Sequence, residues 1–154
     1  MRGKFIRGDG LEIPNNVSLA GAEVVLKAAF RLTAQPIYAA LVAGAPTLGM
    51  TMLDMVEPTL AINGYSRIAI PQSIVGWPVV GTVSSEKYIE TDWLTWTAVV
   101  GNFDQPIQRV ALIGFNTYSA AHEIFALSVM MPNEITITPA TDLALRRFKY
   151  QFFL

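Results

Sequence analysis

"TDWLTWTAVV", residues 91–100, is the stretch on which the reading of this chain turns. In an extended backbone successive side chains point to opposite faces. Asp92, Leu94, Trp96 and Ala98 then share one face, and Trp93, Thr95, Thr97 and Val99 share the other. Trp93 and Trp96 therefore lie on opposite sides of one ribbon. A half-buried antiparallel strand needs large apolar groups on its core face only. The second face must meet another part of this chain or another copy of it.

Upstream, "EKYIE" carries Glu86 and Glu90 in phase with Asp92, so the ribbon begins polar and ends apolar, as an edge strand entering a core would. Short segments of the same kind recur along the chain. "LEIP" and "PIYAALVAG" read as strands, with "NNVSLAG" as a turn region between them. "AEVVLKAAFR", residues 22–31, alternates with a period of two and also holds good helix formers, so strand and helix both remain open. "TMLDMVEPTL" has the acids Asp54 and Glu57 and reads as one helical turn stopped by Pro58. Asn63-Gly64 is a strong turn dipeptide, expected to open a strand over Tyr65–Ile70. "WPVVGTVS", "IQRVALIGF" and "EIFALSVMMP" are further strands. "NEITITPA" sets Ile135 and Ile137 against Thr136 and Thr138. "LALRRFKYQFFL" puts Phe148, Tyr150, Phe152 and Leu154 on one face and Arg147, Lys149, Gln151 and Phe153 on the other. The expectation is an all-β chain: an antiparallel β-sandwich or jelly roll of about eight to ten strands, with at most one or two short helical turns. It spans 1–154 as a single domain, with 1–10 as an extended N-terminal arm.

Composition narrows the function. A chain of 154 residues can bury roughly 70% of the surface its unfolded form exposes, so it needs no staple. Cysteine is absent, which removes disulfides and thiolate metal sites. The 11 basic and 12 acidic residues give a net charge of −1, unlike the footprint of a nucleic-acid binder. Apolar residues make up 52% and charged residues 15%. Soluble domains carry about 25% charged residues. So little charge leaves apolar surface to be covered by a membrane or by other subunits. The longest uncharged run, residues 32–53, is broken by Pro36, Gly44, Pro46 and Gly49, which argues against a membrane span. "MRGKFIRGDG" lacks the apolar stretch of a signal peptide. Burial against other subunits is the expectation left.

Candidate chemistry is sparse. His122 in "SAAHEIF" has Ser119 and Glu123 near it, but no nucleophile elbow accompanies them. Glu86, Glu90 and Asp92 share a face without the D-x-D-x-D-G order of a calcium loop. No glycine-rich nucleotide loop is present. No catalytic residue, cofactor or metal is expected. Arg146, Arg147 and Lys149 form the one basic cluster, either keeping the last strand wet or meeting Glu57, Glu86 or Glu90 of a neighbour. Trp93, Trp96, Arg146, Arg147, Phe148, Tyr150, Phe152 and Phe153 are the candidate interface residues, since aromatics and arginine anchor subunit contacts. Aromatics on a β-sandwich also bind sugars by stacking, which keeps a carbohydrate-binding module as an alternative.

Three groups of residues then stand together: Glu57-Pro58-Thr59, Asn63-Gly64-Tyr65-Ser66-Arg67, and Leu94-Thr95-Trp96-Thr97-Ala98. With the apolar strand after "NFDQP", this pattern over roughly residues 50–115 resembles small structural proteins of tailed bacteriophage virions. The resemblance implies a β-rich, multimeric, non-enzymatic protein of the virion, assembled in the host cytoplasm. Its implied roles are a capsid decoration (cement) protein or a part of the tail, neck, baseplate or fibre. Its implied partners are further copies of itself, as a trimer or another symmetric oligomer, and the major capsid protein. Neither nucleic acid nor membrane is an expected partner.

Overall fold

The structure is a computed structural model that describes residues 2–6, 12–16, 28–31, 35–44, 47, 49–59, 62–83, 86–116, 119–127, 133–140, 143–145 and 149–152. Eleven strands lie among them: β1 (Arg2–Ile6), β2 (Glu12–Asn16), β3 (Ile37–Ala43), β4 (Ile68–Ile70), β5 (Val79–Val83), β6 (Glu86–Glu90), β7 (Leu94–Trp96), β8 (Ile107–Asn116), β9 (Ala121–Leu127), β10 (Leu143–Leu145) and β11 (Lys149–Phe152). All pairings among them are antiparallel. They form a four-stranded sheet ordered β4-β3-β8-β9, a three-stranded sheet ordered β11-β6-β5, and the ribbons β1-β2 and β7-β10. The described residues are thus mostly β, with little helix among them. The described residues gather into two compact units: 1–34, 72–92 and 147–154 in the first, 35–71 and 93–146 in the second.

The second unit is built around β3 and β8. "IYAALVA" in β3 is apolar throughout because β3 is a central strand buried on both faces. Ala40 and Val42 join Ala111 and Ile113 of β8 on one face, where Tyr38, Ile124 and the methionines 50, 52 and 55 pack against them. Small alanines make this bed shallow, and unbranched methionines fit over it. Ile37, Tyr38 and Ala39 of β3 pair with β4, which ends there. On β8, Ile107 exchanges two backbone hydrogen bonds with Ile135, at 2.8 and 2.9 Å, so "NEITITPA" contributes a bridge and not a full strand.

In the first unit β6 lies between β5 and β11. Residues 28–31 are helical. The strand reading of 22–31 therefore gives way to its helical alternative over those four residues, and 22–27 lie outside the described ones. Phe30 there is buried against Trp77, with their rings 4.4 Å apart. Arg31 donates to the Trp77 carbonyl from Nε at 2.9 Å, and Gln72 Nε2 donates to the Ala29 carbonyl at 3.3 Å.

Further expectations are corrected. The polar-to-apolar ribbon 86–100 is not continuous: it breaks after Glu90, and β6 and β7 belong to different sheets. The segment at Thr51–Asp54 is a turn, not a helical one, closed on Asp54 Oδ2 by the Thr51 amide at 3.1 Å and hydroxyl at 2.6 Å. The strand expected from Tyr65 begins only at Ile68, after a tight turn at Ile62–Gly64 in which Asn63 has left-handed dihedrals. "LALRRFKYQFFL" likewise divides into β10 and β11, which pair with β7 and β6 respectively.

Candidate interaction surface

Where β4 stops, β3 still presents two N–H groups on that edge. The Leu41 amide donates to the Tyr65 hydroxyl at 3.1 Å, and the Ala43 amide donates to the Val56 carbonyl at 2.8 Å. The Tyr65 hydroxyl in turn donates to Glu57 Oε2 at 2.8 Å. Arg67 forks onto Glu57, with Nη2 2.5 Å from Oε1 and Nε within 3.2 Å of both oxygens. Tyr65 is 1% exposed and meets Phe103 edge-on at 5.5 Å. Burial, and then the bond to Glu57, push its hydroxyl far above its ordinary pKa. A phenol and a loop carbonyl thus seal this strand edge in place of a longer neighbouring strand.

The same region is pinned at three more points. Trp96 Nε1 donates to the Ser66 carbonyl at 3.0 Å. The Thr59 amide donates to Asp104 Oδ1 at 2.9 Å, and its hydroxyl donates to Oδ2. The Val99 amide donates to the Asn63 carbonyl at 3.0 Å. Glu57 therefore holds Tyr65 and Arg67, and Ser66 holds Trp96. Glu57 is engaged within its own unit, so the expectation of it reaching an arginine on a neighbour has no support here.

The alternation 93–99 is present as expected, and it separates the two tryptophans. Leu94, Trp96 and Ala98 are buried, whereas Trp93, Thr95, Thr97 and Val99 are exposed. Trp96 is 3% exposed and belongs to the core of its unit; Trp93 is 54% exposed. Arg146, Arg147, Phe148 and Phe153 lie outside the described residues. Tyr150 and Phe152 occupy β11 positions opposite Ile89 and Lys87. Sequence reasoning missed other exposed apolar residues: Leu53 at 98%, Val99 and Val100 in the second unit, Ile74 and Val75 in the first. Each sits in a turn, a bend or irregular chain between strands, where proline, glycine or polar neighbours were the available signal.

His122 meets Tyr38 and Phe115 edge-on, with ring centroids 5.7 and 5.3 Å away. Ser119 Oγ donates to Glu123 Oε1 at 2.7 Å and Asn116 Nδ2 donates to Oε2 at 2.9 Å. Serine and acid bond each other and close the β8–β9 turn. The bonds from Asn116 and then Ser119 hold the Glu123 carboxyl below its usual range. Among the described residues no group of three or more His, Cys, Asp or Glu could hold a metal ion. Among them, too, no helix is long and apolar enough to cross a membrane. No family model, curated protein or solved structure matches the chain.

Proposed function

We propose that this chain is a non-enzymatic structural subunit of a tailed-bacteriophage virion, a capsid decoration (cement) protein that stabilises the head by burying apolar surface between subunits. The observation that carries the reading is the split at residues 93–99: Trp96 inside its unit and Trp93 outside it, on one short stretch. A chain with 52% apolar and 15% charged residues supports the same reading, because its surface has little charge with which to stay wet alone. The residues that resemble virion proteins supply an edge seal and turn contacts, which suits a role in shape and not in chemistry. Its partners in this reading are further copies, in a trimer or another closed ring, and the major capsid protein. Stacking of the sheets as a sandwich or jelly roll belongs to the same proposal. Weak contacts suffice for such a role, since each further contact in a shell is effectively intramolecular.

Antibody labelling of particles by negative-stain microscopy tests it. Label spread over the shell supports the decoration role. Label at one vertex moves the protein to the tail, neck, baseplate or fibre, and unlabelled particles overturn the virion reading. The exposed indole of Trp93 also favours a second reading, a carbohydrate-binding module that stacks a sugar ring on it. A glycan array on which the soluble protein binds nothing removes that alternative.

A further inference from the structure

The turn at Ile62–Gly64 holds a reactive dipeptide under restraint. Asn63-Gly64 is the one Asn-Gly pair in the sequence. Glycine carries no side chain to shield its own nitrogen, so in a pliant chain the Gly64 nitrogen reaches the Asn63 carboxamide carbon freely. The folded turn keeps them apart. Asn63 has ψ of 15°, which nearly eclipses the Gly64 nitrogen with the backbone nitrogen of Asn63 itself. Closing a five-membered ring requires the Gly64 nitrogen to eclipse Cβ instead. On a tetrahedral Cα that position is roughly a third of a turn away.

Residues 99–102 oppose this rotation. The Val99 amide donates to the Asn63 carbonyl at 3.0 Å, which fixes the peptide plane between Asn63 and Gly64. Asn63 Nδ2 donates to the Asn102 carbonyl at 2.5 Å, which fixes the carboxamide. One short segment thus holds both groups that would react. The Val99 side chain also lies close over Gly64, since a Cβ there would be 2.7 Å from Val99 Cγ2. The segment has little burial of its own at Val99 and Val100, which are 69% and 84% exposed. Segments with few buried apolar contacts are the first to open.

We propose that Asn63 is a deamidation site latched by residues 99–102. When the segment opens, hydroxide takes the proton of the Gly64 amide, and the nitrogen attacks Asn63 Cγ. The bond from Cγ to the carboxamide nitrogen breaks, and ammonia leaves with a proton from water. Water then opens the ring at either carbonyl and gives aspartate or isoaspartate at position 63. One water is consumed and one ammonia released. Neither product restores the latch. Aspartate sets a carboxylate oxygen where Nδ2 faced the Asn102 carbonyl, and isoaspartate adds a methylene to the main chain inside the turn. The change runs one way and marks copies whose latch has opened. It is independent of the proposed function.

Peptide-resolved mass spectrometry on the full chain at mildly alkaline pH tests this. In concentrated urea Asn63 should convert ahead of the other asparagines. In the native protein it should convert at least about tenfold more slowly, because two hydrogen bonds must open first. Equal rates at Asn63 in the two conditions overturn the latch. Val99→Pro removes the N–H that holds the Asn63 carbonyl and should raise the native rate about fivefold, the share of one hydrogen bond. An unchanged rate in a V99P protein whose circular dichroism matches wild type overturns the part given to residues 99–102. Where V99P does not fold, a urea series on wild type decides. Conversion should begin to rise below the global unfolding transition, and a rise confined to that transition overturns the latch as a local device.

Discussion

Replacing Tyr65 by phenylalanine removes one oxygen and two hydrogen bonds, and it leaves the Leu41 amide buried without a partner. An orphaned buried donor costs about 1–3 kcal/mol, so the urea midpoint of Y65F should fall with an unchanged slope. The same residue makes stability depend on alkaline pH. Burial, then the bond to Glu57, raise the folded hydroxyl's pKa above its ordinary value of 10.0. The folded state therefore holds a proton that the unfolded state releases. That contribution is complete below the unfolded pKa and declines as pH climbs past it, by up to about 1.4 kcal/mol per pH unit. Denaturation series above and below pH 10.0 should show the decline in wild type and a smaller one in Y65F. No local pattern announced this role. Tyr65 and Leu41 are distant in sequence, and only the place where β4 ends leaves that amide in need of a side-chain partner.

At the level of elements, the turn at Ile62–Gly64 shows how far a dipeptide signal reaches. Asn63 and Gly64 both take the left-handed backbone, with φ of 56° and 88°. That is the conformation for which Asn-Gly is favoured in turns. The dipeptide specifies this local geometry but not the path of Tyr65, Ser66 and Arg67. Those residues are irregular chain, bent to deliver Tyr65 and Arg67 to Glu57 before β4 begins. A Cβ at Gly64 would lie 2.7 Å from Val99 Cγ2 and 3.3 Å from the Thr97 carbonyl. Gly64→Ala should therefore cost about 1–3 kcal/mol, read as a lower thermal midpoint. Gly44→Ala, also at positive φ but with no atom within 4 Å, should cost less. Strands with both faces buried, β3 and much of β8, were legible as unbroken apolar runs. The helical residues 28–31 were not decided by periodicity, because Ala-Ala-Phe-Arg suits either state.

For the whole molecule, the apolar excess has a distribution that the sequence only half revealed. The alternation in 93–99 correctly set Trp93 and Trp96 on opposite faces, but it could not say which face was inside. That depends on partners distant in sequence, as where Trp96 Nε1 on the buried face reaches the Ser66 carbonyl. With the two faces assigned, the tryptophans make a matched pair of probes. Trp96→Ala empties a buried site and removes the donor to the Ser66 carbonyl, so it should cost about 3–5 kcal/mol and lower the thermal midpoint in proportion. Trp93→Ala trims a half-exposed ring and should cost the isolated chain about 1–2 kcal/mol, well below the cost of Trp96→Ala. Its further effect belongs to assembly: if the indole anchors a subunit contact, truncation costs about 2 kcal/mol per interface, a roughly 30-fold weaker association by light scattering. In a closed ring that loss recurs at every contact, so the assembled mass should fall much more steeply than the single-site figure suggests. A W93A protein that is folded and still assembled as wild type would assign Trp93 to ordinary surface and leave the remaining exposed side chains, Leu53 foremost, to account for the buried area.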